Sequence, residues 1–182
     1  MSEEMNQVLA ELAALKQRQY ELEAEVRHAR DFQSVQNLQA AYGYYVDKGL
    51  WDKAADLFAE DGSLELAGRG VFVGRDRVRE YLHHLPPYGK GTLYNHMQLQ
   101  PVIHVDSEAG TAKGRWRSFM MVGSLGNEAR WGEATYENEY KRVDGEWKFY
   151  YRNIRNEFLE GRDSGTVNPV LAMDAAAEKA IG

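Results

Sequence analysis

The sequence predicts an α+β fold: a curved mixed or antiparallel sheet wrapped around helices as a cone-shaped barrel, with a helical arm ahead of it. Three observations carry this. Apolar residues recur at helical spacing as far as about residue 46. Four long segments of strand-like pattern follow from residue 93 onward. Each is joined to the next by turn chemistry: Asp106-Ser107-Glu108-Ala109-Gly110, Gly123 to Asn127, and Asp144-Gly145.

The arm comes first. Met5, Val8, Leu12, Leu15, Gln19, Leu22 and Val26 alternate by three and four residues, a heptad seam with one polar interruption. Ser2 suits a helix N-cap, and Glu3 and Glu4 complement the dipole. The seam either pairs with another subunit or lies along its own barrel. The first is favoured, as a dimer or trimer, because the barrel core is complete without it. A second helix is expected from about Asp31 to Val46, ended by Gly49, and a third from Trp51 to Phe58. Residues 63–67 alternate like a strand, and Val71 to Val73 form another. A helix opens after Gly74 and stops by Pro86-Pro87. The long strands are 93–105, 111–122, 130–143 and 146–158, the last two joined by a hairpin at Asp144-Gly145. The chain divides into an arm over 1–30, a barrel domain over 31–160 and a tail over 161–182.

Bulk properties narrow the function. The net charge is −6, which argues against nucleic acid and anionic membrane as partners. The chain has no cysteine, so thiolate chemistry and cysteine-ligated zinc are excluded, and no compact histidine cluster suggests another metal. No secretory leader or membrane span is read, and the expected location is the cytoplasm. Aromatic residues are plentiful, with 11 Tyr, 4 Trp and 6 Phe. They suit the lining of a small-molecule pocket as well as a barrel core.

Strand parity selects inward residues. On 130–143 the even positions Ala134, Tyr136, Asn138 and Tyr140 oppose the glutamates at 133, 137 and 139, so the even face points in. Trp116 shares the inward face of its strand, while Arg115 takes the other. On the last strand Trp147, Phe149, Tyr151, Asn153 and Arg155 fall on one face. The first long strand is undecided: His96 shares a face with Gln98 and Gln100, opposite Met97, Leu99 and Ile103. Tyr45 and Tyr42 lie on the apolar stripe of the second helix, where either also serves as core.

The ordered set YYVDKGLWDKAADLFAEDGSLEL, GVFVGRDRVREYL, YNHMQLQPVIHVD and YENEYKRVDGEWKF resembles the SnoaL-like superfamily, whose fold is that of nuclear transport factor two. Within it the chain looks most like the scytalone dehydratase and bile acid 7α-dehydratase branch. The resemblance spans about residues 31–158. It implies that Tyr42 and Asp47 match the family's helix-borne tyrosine and aspartate, His96 its strand histidine, and Arg155 its arginine near the end of the last strand. Tyr136 takes the place of a polar substrate contact. A second histidine of the scytalone enzymes is replaced near Arg115 and Trp116, and a tyrosine beside the aspartate is Val46, so the implied chemistry is shared but the substrate is not.

The residue types suit that chemistry. A histidine removes a proton near neutral pH, and an aspartate orients it. A tyrosine donates to a leaving oxygen, and a permanently charged arginine stabilises an enolate or phenolate. Asp47 before Lys48-Gly49 also suits a simple turn. The expected catalytic set is His96, Asp47, Tyr42 and Arg155, with Tyr136, Asn138, Trp116, Tyr45 and Tyr151 binding substrate. The expected activity is a cofactor-independent lyase on a hydroxylated apolar or aromatic molecule. It eliminates water, or cleaves a C–C bond with loss of formaldehyde as in diarylpropane deformylation. A steroid-like ketone isomerase and a non-catalytic ligand-binding or assembly module are the alternatives.

Overall fold

The structure is a computed structural model that describes residues 2–67, 69–85, 88–126 and 128–159, with residue 128 and residues 153–159 as backbone alone. Helix α1 runs unbroken from Glu3–Asp47. Sequence periodicity divides this stretch into two helices, but no proline interrupts it and its first glycine is Gly43, so nothing breaks the backbone at the junction. What changes at Asp31 is burial. Residues before it are almost all exposed, and from Asp31 onward Val35, Leu38, Gln39, Tyr42, Gly43 and Val46 are buried. The Ser2 hydroxyl caps the helix by accepting the Met5 N–H at 3.3 Å. At the far end Gly49 turns the chain at a φ of 66°, a conformation that favours glycine.

The remaining elements are α2 (Trp51–Ala55), β1 (Phe58–Leu66), β2 (Gly70–Val73), α3 (Arg75–His83), β3 (Thr92–Asp106), β4 (Thr111–Ser124), β5 (Glu128–Val143) and β6 (Glu146–Leu159). The third predicted helix is thus shorter than its pattern suggests, because Phe58 already belongs to β1. Six strands form one mixed sheet in the order β2-β1-β6-β5-β4-β3. Neighbours are antiparallel except β1 and β6, which run parallel. The sheet curves around the second half of α1. The core forms where Tyr42 meets Phe149 edge-on at 5.7 Å and Phe149 meets Phe58 and Tyr140 at 5.1 and 5.2 Å.

Two bulges decide which side chains face inward. On β3 the pairing shifts between Leu99 and Val102, and Gln100 takes a φ of 47°. Before the bulge His96 opposes buried Met120 and Gln98 opposes buried Ser118; after it Ile103 and Val105 oppose Gly114 and Ala112. The inward face therefore changes from even to odd numbers. Pro101 marks the place, since proline enters strands at edges and bulges, and β3 is an edge strand. On β6 the pairing passes from Tyr140 opposite Phe149 to Glu139 opposite Tyr151, leaving Tyr150 as the extra residue. Arg152, opposite Asn138, then takes the inward position. The single-face reading of this strand fails at that point.

Candidate active site

The site is built where the end of α1 meets β3. Asp47 is the last residue of the helix, and its Oδ1 lies 2.6 Å from Nδ1 of His96. The same carboxylate accepts the backbone N–H of His96, at 3.1 and 3.0 Å from its two oxygens. One acid thereby fixes both the strand and the ring, and Nδ1–H is the tautomer that donates to it. Asp47 engages Nδ1 and not Nε2, and His96 lines the cavity. Tyr42 and Asp47 lie on different faces of a regular helix. No loosening is needed, because Tyr42 lines the cavity itself and Asp47 reaches His96 instead.

A second set of contacts holds His96 from behind. Gln98 Nε2 donates to the His96 carbonyl at 2.9 Å, and Gln39 Nε2 donates to Gln98 Oε1. Gln39 is fully buried, and its Oε1 accepts from Asn138, Tyr140 and Arg152 at 2.9, 3.1 and 3.1 Å. Trp116 Nε1 donates to the Tyr140 hydroxyl at 3.0 Å. A polar chain thus joins α1, β3, β4, β5 and β6.

Arg152 is the unexpected member. It is 0 % exposed. Its Nη1 reaches Gln39, while Nε and Nη2 have no hydrogen-bond partner among the described residues. No carboxylate pairs with it there. Instead its guanidinium lies over the rings of Tyr42, Tyr136 and Phe149, at 3.8, 4.4 and 4.9 Å. A buried permanent charge without an anion is costly, and cation–π contacts offset only part of that. Tyr42 feels two opposing influences. Burial pushes its phenol up and the Arg152 charge pulls in the other direction, and burial prevails to leave it at about 12.

The cavity measures about 280 Å³. His96, Tyr42 and Tyr136 line it together with Tyr81, Tyr88, Tyr94 and Trp131, and Arg69 and Arg130 also border it. Tyr88 stacks on Tyr94 with ring centroids 3.8 Å apart. Burial foremost raises the Tyr88 phenol above its ordinary value.

Three of the predicted site residues therefore line one cavity, and Asp47 stands behind the first of them. The others are elsewhere. Trp116 and Asn138 are buried in the polar chain rather than in the cavity wall. Tyr45 is half-buried, with Lys53 Nζ 5.9 Å from its ring. Tyr151 falls beyond the β6 bulge, and its hydroxyl donates to Glu65. The side chain of Arg155 lies outside the described residues, and its backbone pairs with Thr135. Arg152 escaped sequence reasoning because strand alternation, carried across an unseen bulge, gave it to the outer face. The glutamine pair escaped because neither residue is a usual acid–base group; the one available signal was Gln39 on the apolar stripe of Val35, Leu38 and Tyr42. Among the described residues no group of three or more His, Asp or Glu side chains is placed to hold a metal ion, and no helix is long and apolar enough to cross a membrane.

A SnoaL-like domain matches residues 27–153. The chain belongs to the SnoaL-like family. Solved structures agree on the fold. A variant of Rv3472, a protein of unknown function from Mycobacterium tuberculosis, is 26% identical, with a TM-score of 0.63 over 84% of this chain and 91% of that one. A candidate scytalone dehydratase of Novosphingobium aromaticivorans is 21% identical, with a TM-score of 0.66 over 76% and 92%. The hexachlorocyclohexane dehydrochlorinase LinA-type3 of Novosphingobium barchaimii is 20% identical, with a TM-score of 0.66 over 79% and 98%. The SnoaL-like match ends at residue 153, so it covers the whole polar chain and leaves out most of the exposed arm.

Proposed function

We propose that this SnoaL-like protein is a cofactor-independent lyase acting on a hydroxylated, mostly aromatic small molecule. The observation that carries the reading is the Asp47–His96 pair, 2.6 Å apart, at an aromatic cavity that His96 itself lines. Base, orienting acid, phenol donor and cation are all side chains of this chain, so the reaction asks for no cofactor. Two of the neighbours bear names of elimination enzymes, a dehydratase and a dehydrochlorinase, which agrees with the class.

The step is an elimination. His96 Nε2 takes a proton from the substrate, and the imidazolium is stabilised by Asp47. In the dehydration version the proton comes from carbon, its electron pair becomes the new C=C bond, and the β-hydroxyl leaves as water after gaining a proton. In the deformylation version the proton comes from a primary hydroxyl. Its C–O becomes the C=O of formaldehyde, the C–C electrons form the alkene, and the neighbouring hydroxyl again leaves as water. Tyr42 donates to the oxygen that gains charge. Arg152, behind the Tyr42 ring, makes that phenol a stronger donor than burial alone would allow. Facing tyrosines and Trp131 suit a multi-ring phenolic substrate. The proposed setting is the catabolism of aromatic compounds in the cytoplasm.

The test is incubation with phenolic 1,2-diaryl-propane-1,3-diols and with the corresponding monoalcohols. Ultraviolet absorption reports new conjugation, and a colorimetric assay reports formaldehyde. Conjugation with formaldehyde means deformylation, and conjugation without it means dehydration. Full turnover by His96→Ala would remove the base from the scheme and sink the reading.

A further inference from the structure

The arm presents a surface that the barrel does not use. From residue 3 to residue 30 every residue is exposed except Ala24, which is half-buried. This stretch, about 42 Å long at 1.5 Å per residue, carries Met5, Val8, Leu12, Leu15, Leu22 and Val26 in solvent. Isolated helices gain little stability without packing, and a two-position apolar seam is the geometry of a coiled coil rather than of a helix lying on a sheet.

The charges beside the seam identify what covers it. Taking Met5, Leu12, Gln19 and Val26 as one set of core positions and Val8, Leu15 and Leu22 as the other, the flanking positions are Glu11, Arg18 and Glu25 on one side and Lys16, Glu23 and Arg30 on the other. In a parallel, in-register coil each residue of the first side meets the residue five places later in the second copy. Glu11 then meets Lys16, Arg18 meets Glu23, and Glu25 meets Arg30. All three pairs are opposite in sign. In the antiparallel arrangement of fullest overlap each side meets itself, so Arg18 meets Arg18, Lys16 meets Lys16 and Glu11 meets Glu25. All three are repulsive. Gln19, the one polar core residue, adds a reason for a fixed register, because a lone polar residue at such a position is satisfied best by its own counterpart. Among the described residues of the single chain Arg18 reaches only Glu21 of its own helix, at 3.4 Å and in solvent.

We infer that copies of this chain associate through residues 5–30 as a parallel, in-register coiled coil. The barrels then sit at the same end of the coil, because α1 is continuous from the seam to Asp47. The inference stands apart from the proposed chemistry.

The chain has no cysteine, which makes crosslinking a clean test. Met5→Cys and Val26→Cys, each alone in the 182-residue chain, should both give disulfide-linked pairs under mild oxidation. Gln17→Cys, on the opposite face of the helix, should not. Adding Leu15→Asp to either variant should abolish the link and give a monomer by sedimentation, with the circular dichroism of the barrel aromatics unchanged. Lys16→Glu with Glu23→Lys should weaken association of that chain with itself, as should Glu11→Lys with Arg18→Glu, and mixing the two should restore it. A monomeric parent chain, or failure of both cysteine variants to link, overturns the proposal. So does a seam that becomes accessible only when residues 160–182 are deleted, since the cover would then be intramolecular. Crosslinking of Val26→Cys without Met5→Cys would overturn the parallel register.

Discussion

The carboxylate of Asp47 accepts two different hydrogens of His96: one from ring Nδ1, 2.6 Å away, and one from the backbone amide at 3.0 Å. The helix end and the strand are thus joined at the residue proposed to move the proton. Asp47→Asn keeps the volume but replaces an acceptor-only group with one that can donate to Nδ1. A donor facing Nδ1 favours the tautomer whose proton sits on Nε2, where the base is needed. The expected result is a fall in kcat of about 10³-fold or more, by analogy with the same change in a hydrolytic triad. The melting temperature should change little, because the backbone contact survives. A kcat within a few-fold of the parent protein would show that Asp47 is structural.

Arg152 makes a different kind of prediction. Replacing buried ion pairs with apolar residues of similar volume is often neutral or stabilising by about 1–4 kcal/mol, and a buried charge with no anion has still less attraction to lose. Arg152→Met should therefore melt at the same temperature or higher, while turnover falls because Tyr42 loses the cation beside it. The two readouts move in opposite senses only if the charge is kept for function. A variant that loses stability and keeps its kcat would make Arg152 a structural residue.

The legibility of these features in the sequence followed the range of the interactions behind them. Element types were readable because they rest on local spacing: the Asp144-Gly145 hairpin, the alternating β5 and the helical stripe through Tyr42 all appear as expected. Inward placement of Tyr136 was readable for the same reason. Arg152 and the inward turn of His96 were not, because each depends on a bulge. A bulge changes parity for every residue beyond it, and its energetic cause is pairing with another strand rather than anything adjacent in sequence. Pro101 offered a local clue on β3; nothing comparable marks Tyr150 on β6. The Asp47–His96 contact joins residues 49 positions apart and was reached through family resemblance rather than pattern.

Gly43 gives a packing test of the site. It lies in α1, where alanine is ordinarily favoured by up to about 1 kcal/mol. A Cβ at this position would meet the Gln98 side chain at 3.1–3.2 Å and the His96 carbonyl oxygen at 3.3 Å. The helix gains and the strand must move by a few tenths of an ångström. Gly43→Ala should accordingly lower kcat clearly more than it raises KM, since the displaced group is the proposed base. Unchanged kinetics would mean that β3 yields without moving the ring.

Acid should remove the stabilisation that Asp31 gives to the barrel. Asp31 stands where the exposed arm becomes the buried helix, accepting Trp147 Nε1–H at 2.9 Å and pairing with Arg142. Burial alone pushes its carboxyl up, but the hydrogen bonds from Trp147 and Arg142, together with the Arg142 charge, outweigh this and hold it below its ordinary value of 3.8. A carboxyl that titrates lower in the folded chain than in the unfolded one stabilises the fold fully above that ordinary value. The contribution is lost as pH falls through the folded value. Asp31→Asn should therefore be less stable than the parent at neutral pH, and the difference should shrink as the solution is acidified below about pH 4. Urea midpoints measured for both proteins across that range read the effect directly. A gap that stays constant with pH would show that the ionised form of Asp31 contributes nothing and that its hydrogen bonds act through shape alone.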